Sequence, residues 1–402
     1  MIPRLRPALG IQELLAAWTP SGKDDVRQFE QAFADLMGQR HAIAFPYGRT
    51  GLVCLLEALG LKNKEIICPA WTCVVVPHAI VQSGNEPVFV DCAPGDFNMN
   101  LADAEEEISS QTGAIIATSI FGQPVDLDAL DALRARHPHV PIIQDCAHSF
   151  GCEWKGRPVW KNGVASLFAL NISKLMTSIF GGMVTTDDDN LAKKLREIRS
   201  LRLTPPPWHK SISRKAYLAA SMLALWPPFY GLINRLEKSG LLNYFIKYYD
   251  EGVIDMPKDW LVGMTGTEAR VGLVQVQKYL EIVKNRRENA EIYQERLQKA
   301  EGLETIAYQE GATFSHYTIL LKKRAAVMDA LLKQGIQVGR LIEYNVPDMP
   351  AYRNRKGYRD CSIARALAQK AVNLPLWPPR HEIEKICRLT NFTIKDIHAR
   401  PE

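Results

Sequence analysis

The 402-residue sequence predicts an α/β protein: a mostly parallel central sheet with helices on both faces, followed by a smaller C-terminal α+β domain. Three observations carry this. Short apolar runs alternate with helical patterns of about ten or more residues, the mark of βαβ units. The apolar runs are near-continuous rather than alternating, as strands buried on both faces are. At 47% hydrophobic and 23% charged residues, the chain has the material for a sizeable core.

The elements follow in order. Residues 24–38 place Val26, Phe29, Phe33 and Met37 on one helical face. HAIAF (41–45) reads as a strand, PYGRTG as a turn and LVCLLEALGL as a helix. EIICPA is a strand, TCVVVPHAIVQSG a helix and PVFVDC a strand. A helix over 101–109 leads to the strand AIIATSIFG, the helix VDLDALDALRARH, and the strands PIIQD, VASLFAL and GMVTT. A long polar helix from about 265 to 300 then bridges to the small domain, where TFSHYTILLK (313–322) is a strand and AAVMDALLKQG (325–335) a helix. On this reading residues 1–260 form the large domain, with an apolar insertion at about 205–250, and residues 261–402 form the bridging helix and small domain.

Charge and cysteine usage exclude several classes. The net charge of +5 is mild and dispersed, which argues against a nucleic-acid partner. Eight cysteines form no CxxC pair and fall mostly in apolar runs, so they read as buried thiols in a reducing cytoplasm, with no metal expected. The opening MIPRLRPALGIQELLAAW is broken by Gln12 and Glu13 and does not read as a signal peptide.

Ligands of open parallel sheets bind beyond the carboxyl ends of the strands. Three such ends carry chemistry. PIIQDCAH ends in Asp145, with His148 soon after; HAIAF runs into Gly48-Arg49-Thr50 and a helix; Lys174 follows the FAL strand. Each has an ordinary reading: a strand-end cap, a core histidine, a common turn, a lysine at a sheet edge. Together they match what pyridoxal phosphate needs. A buried lysine with a depressed pKa forms a Schiff base and carries a proton. An aspartate pairs with the protonated pyridine nitrogen. Backbone N–H groups at a helix start, with the Thr50 hydroxyl near, hold the phosphate.

At this point the chain resembles the DegT/DnrJ/EryC1/StrS aminotransferases, fold-type-I pyridoxal-phosphate enzymes that act mostly on keto-sugars attached to nucleotides. The resemblance runs through "FPYGRTGLVCLLEALGL", "EIICPAWTCVVVPHAIVQSGNEPVFVDCAPGDFNMN", "IFGQPVDLDAL", "IIQDCAHSFGCEWKGRPVW" and "VNLPLWPPRHEIEKI". It implies Lys174 as the Schiff-base lysine, Asp145 as the pyridinium partner and His148 against the cofactor's phenolic oxygen. Arg49 and Thr50 would contact the phosphate. There are departures. The family's phosphate-binding serine falls at Ala169, with Asn171 or Ser173 as candidate substitutes. Its stacking aromatic falls at Cys73, which leaves Trp71 to help cover the ring. Its Asn-Tyr-Arg segment, which reaches a neighbouring subunit, reads Gly263-Met264-Thr265. Family dehydratases carry histidine in place of the lysine.

Residues 216–234 bear no charge, and Trp226-Pro227-Pro228 interrupts them. Upstream stand Arg196, Arg199, Arg202, Lys210, Arg214 and Lys215; downstream stand Arg235, Lys238 and Lys247, with Tyr244, Phe245, Tyr248 and Tyr249. The segment reads either as a buried helical hairpin in the large domain or at a dimer interface, or as a broken monotopic pair dipping into one leaflet. The expected function is transfer of an amino group, from glutamate by the family resemblance, to a nucleotide- or lipid-linked keto-sugar by a cytoplasmic homodimer. The alternatives are a sugar dehydratase or eliminase, and a catalytically silent membrane-associated binding protein on the same scaffold.

Overall fold

The computed structural model describes residues 1–20, 22–238, 250–297 and 300–399. Its large domain opens with helices α1 (Ile11–Trp18) and α2 (Asp25–Met37), strand β1 (His41–Phe45) and helix α3 (Gly48–Ala58). Strands β2 (Glu65–Pro69), β3 (Glu86–Val90), β4 (Thr112–Thr118) and β5 (Ile142–Asp145) alternate with helices α4 (Val75–Gln82), α5 (Leu101–Glu106) and α6 (Leu127–Arg136). A short hairpin, β6 (Glu153–Trp154) and β7 (Arg157–Pro158), precedes β8 (Ala165–Ala169) and β9 (Gly182–Thr186). Helices α7 (Asp189–Arg202), α8 (Trp208–Ala224) and α9 (Pro227–Lys238) follow. The 31-residue α10 (Gly266–Arg296) leads to β10 (Leu303–Glu304), β11 (Tyr317–Leu321), α11 (Arg324–Lys333), α12 (Ser362–Lys370), β12 (Ala371–Leu374) and α13 (Arg380–Ala399).

The main sheet has seven strands in the order β1-β9-β8-β5-β4-β2-β3. The pairs β8–β5, β5–β4, β4–β2 and β2–β3 are parallel, while β9 runs antiparallel to β1 and β8. Helices cover both faces, and the strands between them are buried along nearly their whole length, so the near-continuous apolar runs have the cause expected of them. One face packs Phe45, Leu52, Leu56, Phe89 and Ile116 into a shared core; the other packs Phe29, Phe33, Phe150 and Phe168. The small sheet, β10-β11-β12, is antiparallel and packs with α11 and α13 around Tyr293, Ile319, Val327 and Ile386.

Two expectations are corrected. The turn assigned to PYGRTG is partly helix, because α3 starts at Gly48. The strand expected over AIIATSIFG stops at Thr118, and Phe121 takes a left-handed φ of 56° in a short 3-10 turn. The break expected at Trp226-Pro227-Pro228 is present: the apolar stretch 216–234 is two helices that part at Leu225 and Trp226. The cationic run beside it does not form one surface: Lys210 and Arg214 are buried, and Arg199 and Arg202 pair with Glu30 and Glu57. The side chains of Arg235 and Lys238, and residues 244–249, lie outside the described residues.

Candidate active site

The carboxyl ends of β5 and β8 and the amino end of α3 meet at one edge of the main sheet. Asp145 closes β5. The chain leaves β8 at Ala169, loops through Asn171, Ser173 and Lys174, and returns on β9, where Gly182 pairs with Ala169. That loop is fastened from within. The Asn171 side-chain oxygen accepts from the Ser173 N–H (3.1 Å) and hydroxyl (2.7 Å), and its carbonyl accepts from the Lys174 N–H at 3.0 Å. The Leu170 carbonyl accepts from the Thr177 hydroxyl at 3.1 Å and the Ser178 N–H at 2.9 Å. Gln275 of α10 accepts from the Thr177 N–H at 3.3 Å.

Three titratable groups meet at these strand ends. Burial pushes the Asp145 carboxyl above its ordinary value, while the Ala147 N–H (3.0 Å) and Lys174 pull it back. Burial pushes the Lys174 amine below its ordinary value, against the pull of Cys73 and Asp145. His148 is held well below the usual histidine range by burial, then by the charges of Lys174 and His316, so its ring is neutral. Its Nδ1 accepts the Phe121 N–H at 3.4 Å, which leaves the ring proton for Nε2. Phe121 stacks on it, with centroids 5.7 Å apart and planes 12° from parallel.

The start of α3 explains the glycines. The first N–H groups of a helix have no intrahelical partner and face outward along its axis. A Cβ on Gly182 would lie 2.4 Å from the Gly48 nitrogen and 2.5 Å from its Cα, so β9 can pass beneath this helix end only as glycine. A Cβ on Gly48 would lie 3.3 Å from the Ala169 Cβ, which places the position of the missing serine directly against the helix start. Arg49 is half-buried, and its charge falls on His78.

Two sequence assignments change. The Thr50 hydroxyl is buried and donates to the Trp260 carbonyl at 2.9 Å, so it points into the protein and its backbone N–H is what the helix start offers. Trp71 is 0% exposed; its indole N–H donates to the Ile342 carbonyl at 3.2 Å, and its ring is enclosed with Phe97 and Phe121. It backs the site and has no surface to offer a cofactor ring. Cys73 is the half-exposed residue near Lys174.

Other residues come to the site from far along the chain. His316 precedes β11 in the small domain, yet its ring centroid is 5.6 Å from those of both Phe121 and His148. Burial and the charges of Arg286, Lys174 and Arg4 hold it well below the usual histidine range. Its one sequence signal is the Ser315-His316 pair opening an apolar strand. Tyr47, immediately before α3, donates its hydroxyl to Asp259 at 2.6 Å and accepts from Arg214 at 3.2 Å. Thr265 of the Gly263-Met264-Thr265 segment caps α10: its hydroxyl donates to the Glu268 carboxylate at 2.9 Å and accepts the Glu268 N–H at 3.2 Å.

The chain is similar to known proteins along most of its length. The sequence pattern of the DegT/DnrJ/EryC1/StrS aminotransferase family matches residues 10–218 and 260–388. An uncharacterized protein of Methanocaldococcus jannaschii is 30% identical, over 94% of this chain and 93% of its own. The GDP-perosamine synthase of Caulobacter vibrioides is 28% identical, over 89% of this chain and 86% of its own. Among solved structures, the aminotransferase PseC of Helicobacter pylori superposes with a TM-score of 0.77 at 18% identity, covering 98% of this chain and 99% of that one. A sugar aminotransferase of Streptococcus pneumoniae, solved with PLP, gives 0.77 at 19% identity over 98% and 99%. At such identities these structures speak for the fold.

Proposed function

Given that the chain belongs to the DegT/DnrJ/EryC1/StrS aminotransferase family, and so is a pyridoxal-5'-phosphate-dependent aminotransferase, we propose that it moves an amino group from glutamate to a keto-sugar in cell-surface glycan or lipid biosynthesis. The observation that carries this reading is Lys174, set beside Asp145 and neutral His148 at the strand ends facing the start of α3. GDP-perosamine synthase and a spore coat polysaccharide biosynthesis protein of Bacillus subtilis, the latter 26% identical, support the choice of a sugar acceptor.

The residues present fit the cofactor. One Asp145 oxygen accepts the Ala147 N–H, while the other takes no donor from the described residues. A buried carboxylate half-satisfied in this way suits a protonated ring nitrogen. The start of α3, next to Ala169, suits a phosphate, as the first turn of a helix does; the Ser173 hydroxyl donates to Asn171 instead. When bound, pyridoxal phosphate supplies an electron sink for a carbanion beside the amino nitrogen.

The chain supplies the rest. Lys174 Nζ would tether the cofactor, and burial, which lowers its pKa, favours the neutral amine that can take and return a proton. Asp145 holds the ring nitrogen charged. His148, with its proton on Nε2, can donate to a ring oxygen without carrying charge. His316 brings the small domain to the same space. The site is completed, in this reading, in a homodimer in the cytoplasm.

Purified protein should be yellow, absorbing near ~420 nm, and lose that band when glutamate is added. A panel of nucleotide- and lipid-linked keto-sugars, with the product identified by mass spectrometry, names the acceptor. Colourless protein that takes up no cofactor would favour the silent scaffold. Loss of a sugar hydroxyl without gain of nitrogen would favour the dehydratase.

A further inference from the structure

Helix α8 is turned inside out. Lys210, Arg214 and Leu218 recur every fourth residue and are buried. Arg214 donates to Glu268 at 2.8 Å and to Asp259 at 2.7 Å, and Lys210 donates to the Val262 and Gly263 carbonyls at 2.7 and 3.1 Å. The cations therefore face the protein. Several large apolar side chains face away: Trp208 is 76% exposed, Ile212 55% and Leu223 62%. Ile212 and Leu223 lie about three turns apart on one stripe. Past the helix break, Trp226 (46%) and Phe229 (51%) are also exposed, with ring centroids 5.4 Å apart.

Helix α1 extends this face. The Lys215 amine lies 5.4 Å from the centre of the Trp18 ring. Ile11, Leu15 and Trp18 recur along one side of α1 and are each more than 60% exposed. A monomeric soluble surface seldom gathers so many large apolar groups.

Charge indicates what covers them. No Asp or Glu occurs between residues 203 and 236. The single acidic residue of α1, Glu13, is buried and binds the Lys278 amine at 2.8 Å. Among the described residues the face thus carries Lys215 beside its aromatics, with no carboxylate exposed on α1 or α8. A second copy meeting this face through the same face would bring no carboxylate of α1 or α8 to pair with Lys215. The family pattern also breaks off at residue 218 and resumes at 260, so Leu223, Trp226 and Phe229 lie outside the stretches that match it. Among the described residues no helix is long and apolar enough to cross a membrane.

We propose that α1 and the α8–α9 pair dock on the surface of a membrane bearing anionic phospholipids, lying in its interface without crossing it. Tryptophan and tyrosine rings favour the headgroup level. Short apolar helices insert their exposed faces beneath it, and a basic side chain among them pairs with lipid phosphate.

The test uses the full chain and no substrate, so its result is separate from that of the transaminase assay. Vesicles of phosphatidylcholine, alone or with about one-third phosphatidylglycerol, are mixed with protein and sedimented; binding should be about tenfold stronger to the anionic vesicles. Release by about 1 M salt should be partial, because salt screens the charge and leaves apolar burial intact. The triple substitution Leu223→Ser, Trp226→Ser and Phe229→Ser should abolish binding while keeping the melting temperature and circular dichroism of the parent. Lys215→Glu should remove the preference for anionic vesicles. The proposal is overturned if wild type stays in the supernatant with anionic vesicles, or if both variants bind as wild type does. It is equally overturned if the triple variant separates a dimer in lipid-free buffer, which would make this face a contact between copies. Unfolding of that variant, with Lys215→Glu folded and binding unchanged, would assign the face to the core.

Discussion

Lys174→Ala should abolish turnover and the adduct that borohydride traps, while the protein still binds cofactor through its phosphate; mapping the trapped peptide checks this, and an adduct on another lysine would overturn the assignment. Asp145→Ala should keep the fold and lower kcat/KM by about a hundredfold, or about 3 kcal/mol, because a buried charge-assisted hydrogen bond is lost. Steady-state kinetics at saturating cofactor measure it, and near-normal rates would refute the role. That Lys174, Asp145 and His148 gather at neighbouring strand ends was legible in the sequence, because strand ends can be counted. Thr50 and Trp71 were misplaced because the direction of a hydroxyl and the enclosure of a ring are decided by distant partners, Trp260 and Ile342. His316 was missed for the same reason: it lies far along the chain from His148, and only the folded sheet brings the rings to 5.6 Å.

At the scale of elements, the contact of β9 with α3 and the seating of α8 can each be broken by one substitution. Gly182→Ala would drive a methyl group into the Gly48 backbone, where nothing flexible can yield. Overpacking of this kind costs about 1–3 kcal/mol, and here it displaces the helix start as well, so cofactor affinity should fall further than the melting temperature suggests; a cofactor titration beside a thermal melt measures both. Arg214→Met would leave Glu268, 0% exposed, as a buried carboxylate without its ion-pair partner, with Lys210 only partly offsetting the loss. Loss of one partner of a buried pair costs about 3–5 kcal/mol. The double variant with Glu268→Gln should recover part of that in a denaturant titration. The large-domain strands were readable because their apolar runs are short, buried on both faces and punctuated by helices. The inward turn of Lys210 and Arg214 was not, because hydropathy along a helix says which face is apolar and leaves open whether that face looks in or out.

Across the whole molecule, acid should destabilise the fold well before its surface carboxylates are protonated. Burial lowers His78 from 6.5 to about 4, and lowers His148 and His316 as well. Their folded-state values lie below the unfolded ones, so between the two the unfolded chain binds more protons, and stability falls as pH falls. For His78 the loss begins near pH 6.5, is complete near pH 4 and amounts to about 3 kcal/mol. Urea titrations at a series of pH values should show this slope, and His78→Phe should flatten it. The assembly proposed for the site is a two-fold dimer; light scattering that finds an active monomer at assay concentration would count against it.

The Ala169–Gly182 pair has a consequence for how this protein can change. The loop that carries Lys174 leaves and re-enters the sheet at adjacent strands, so its two ends are already neighbours before any of its own contacts form. Closing such an excursion costs little more when it is lengthened by a residue, and the sheet does not register the difference. An insertion between Ile172 and Ser173, ahead of the buried Leu175 and Met176, should therefore lower the melting temperature little beyond the loss of the Asn171–Ser173 bond, while moving the amine off its target. Chemistry and architecture are separately heritable here: drift in the loop can retire or redirect the reaction without the scaffold being put at risk.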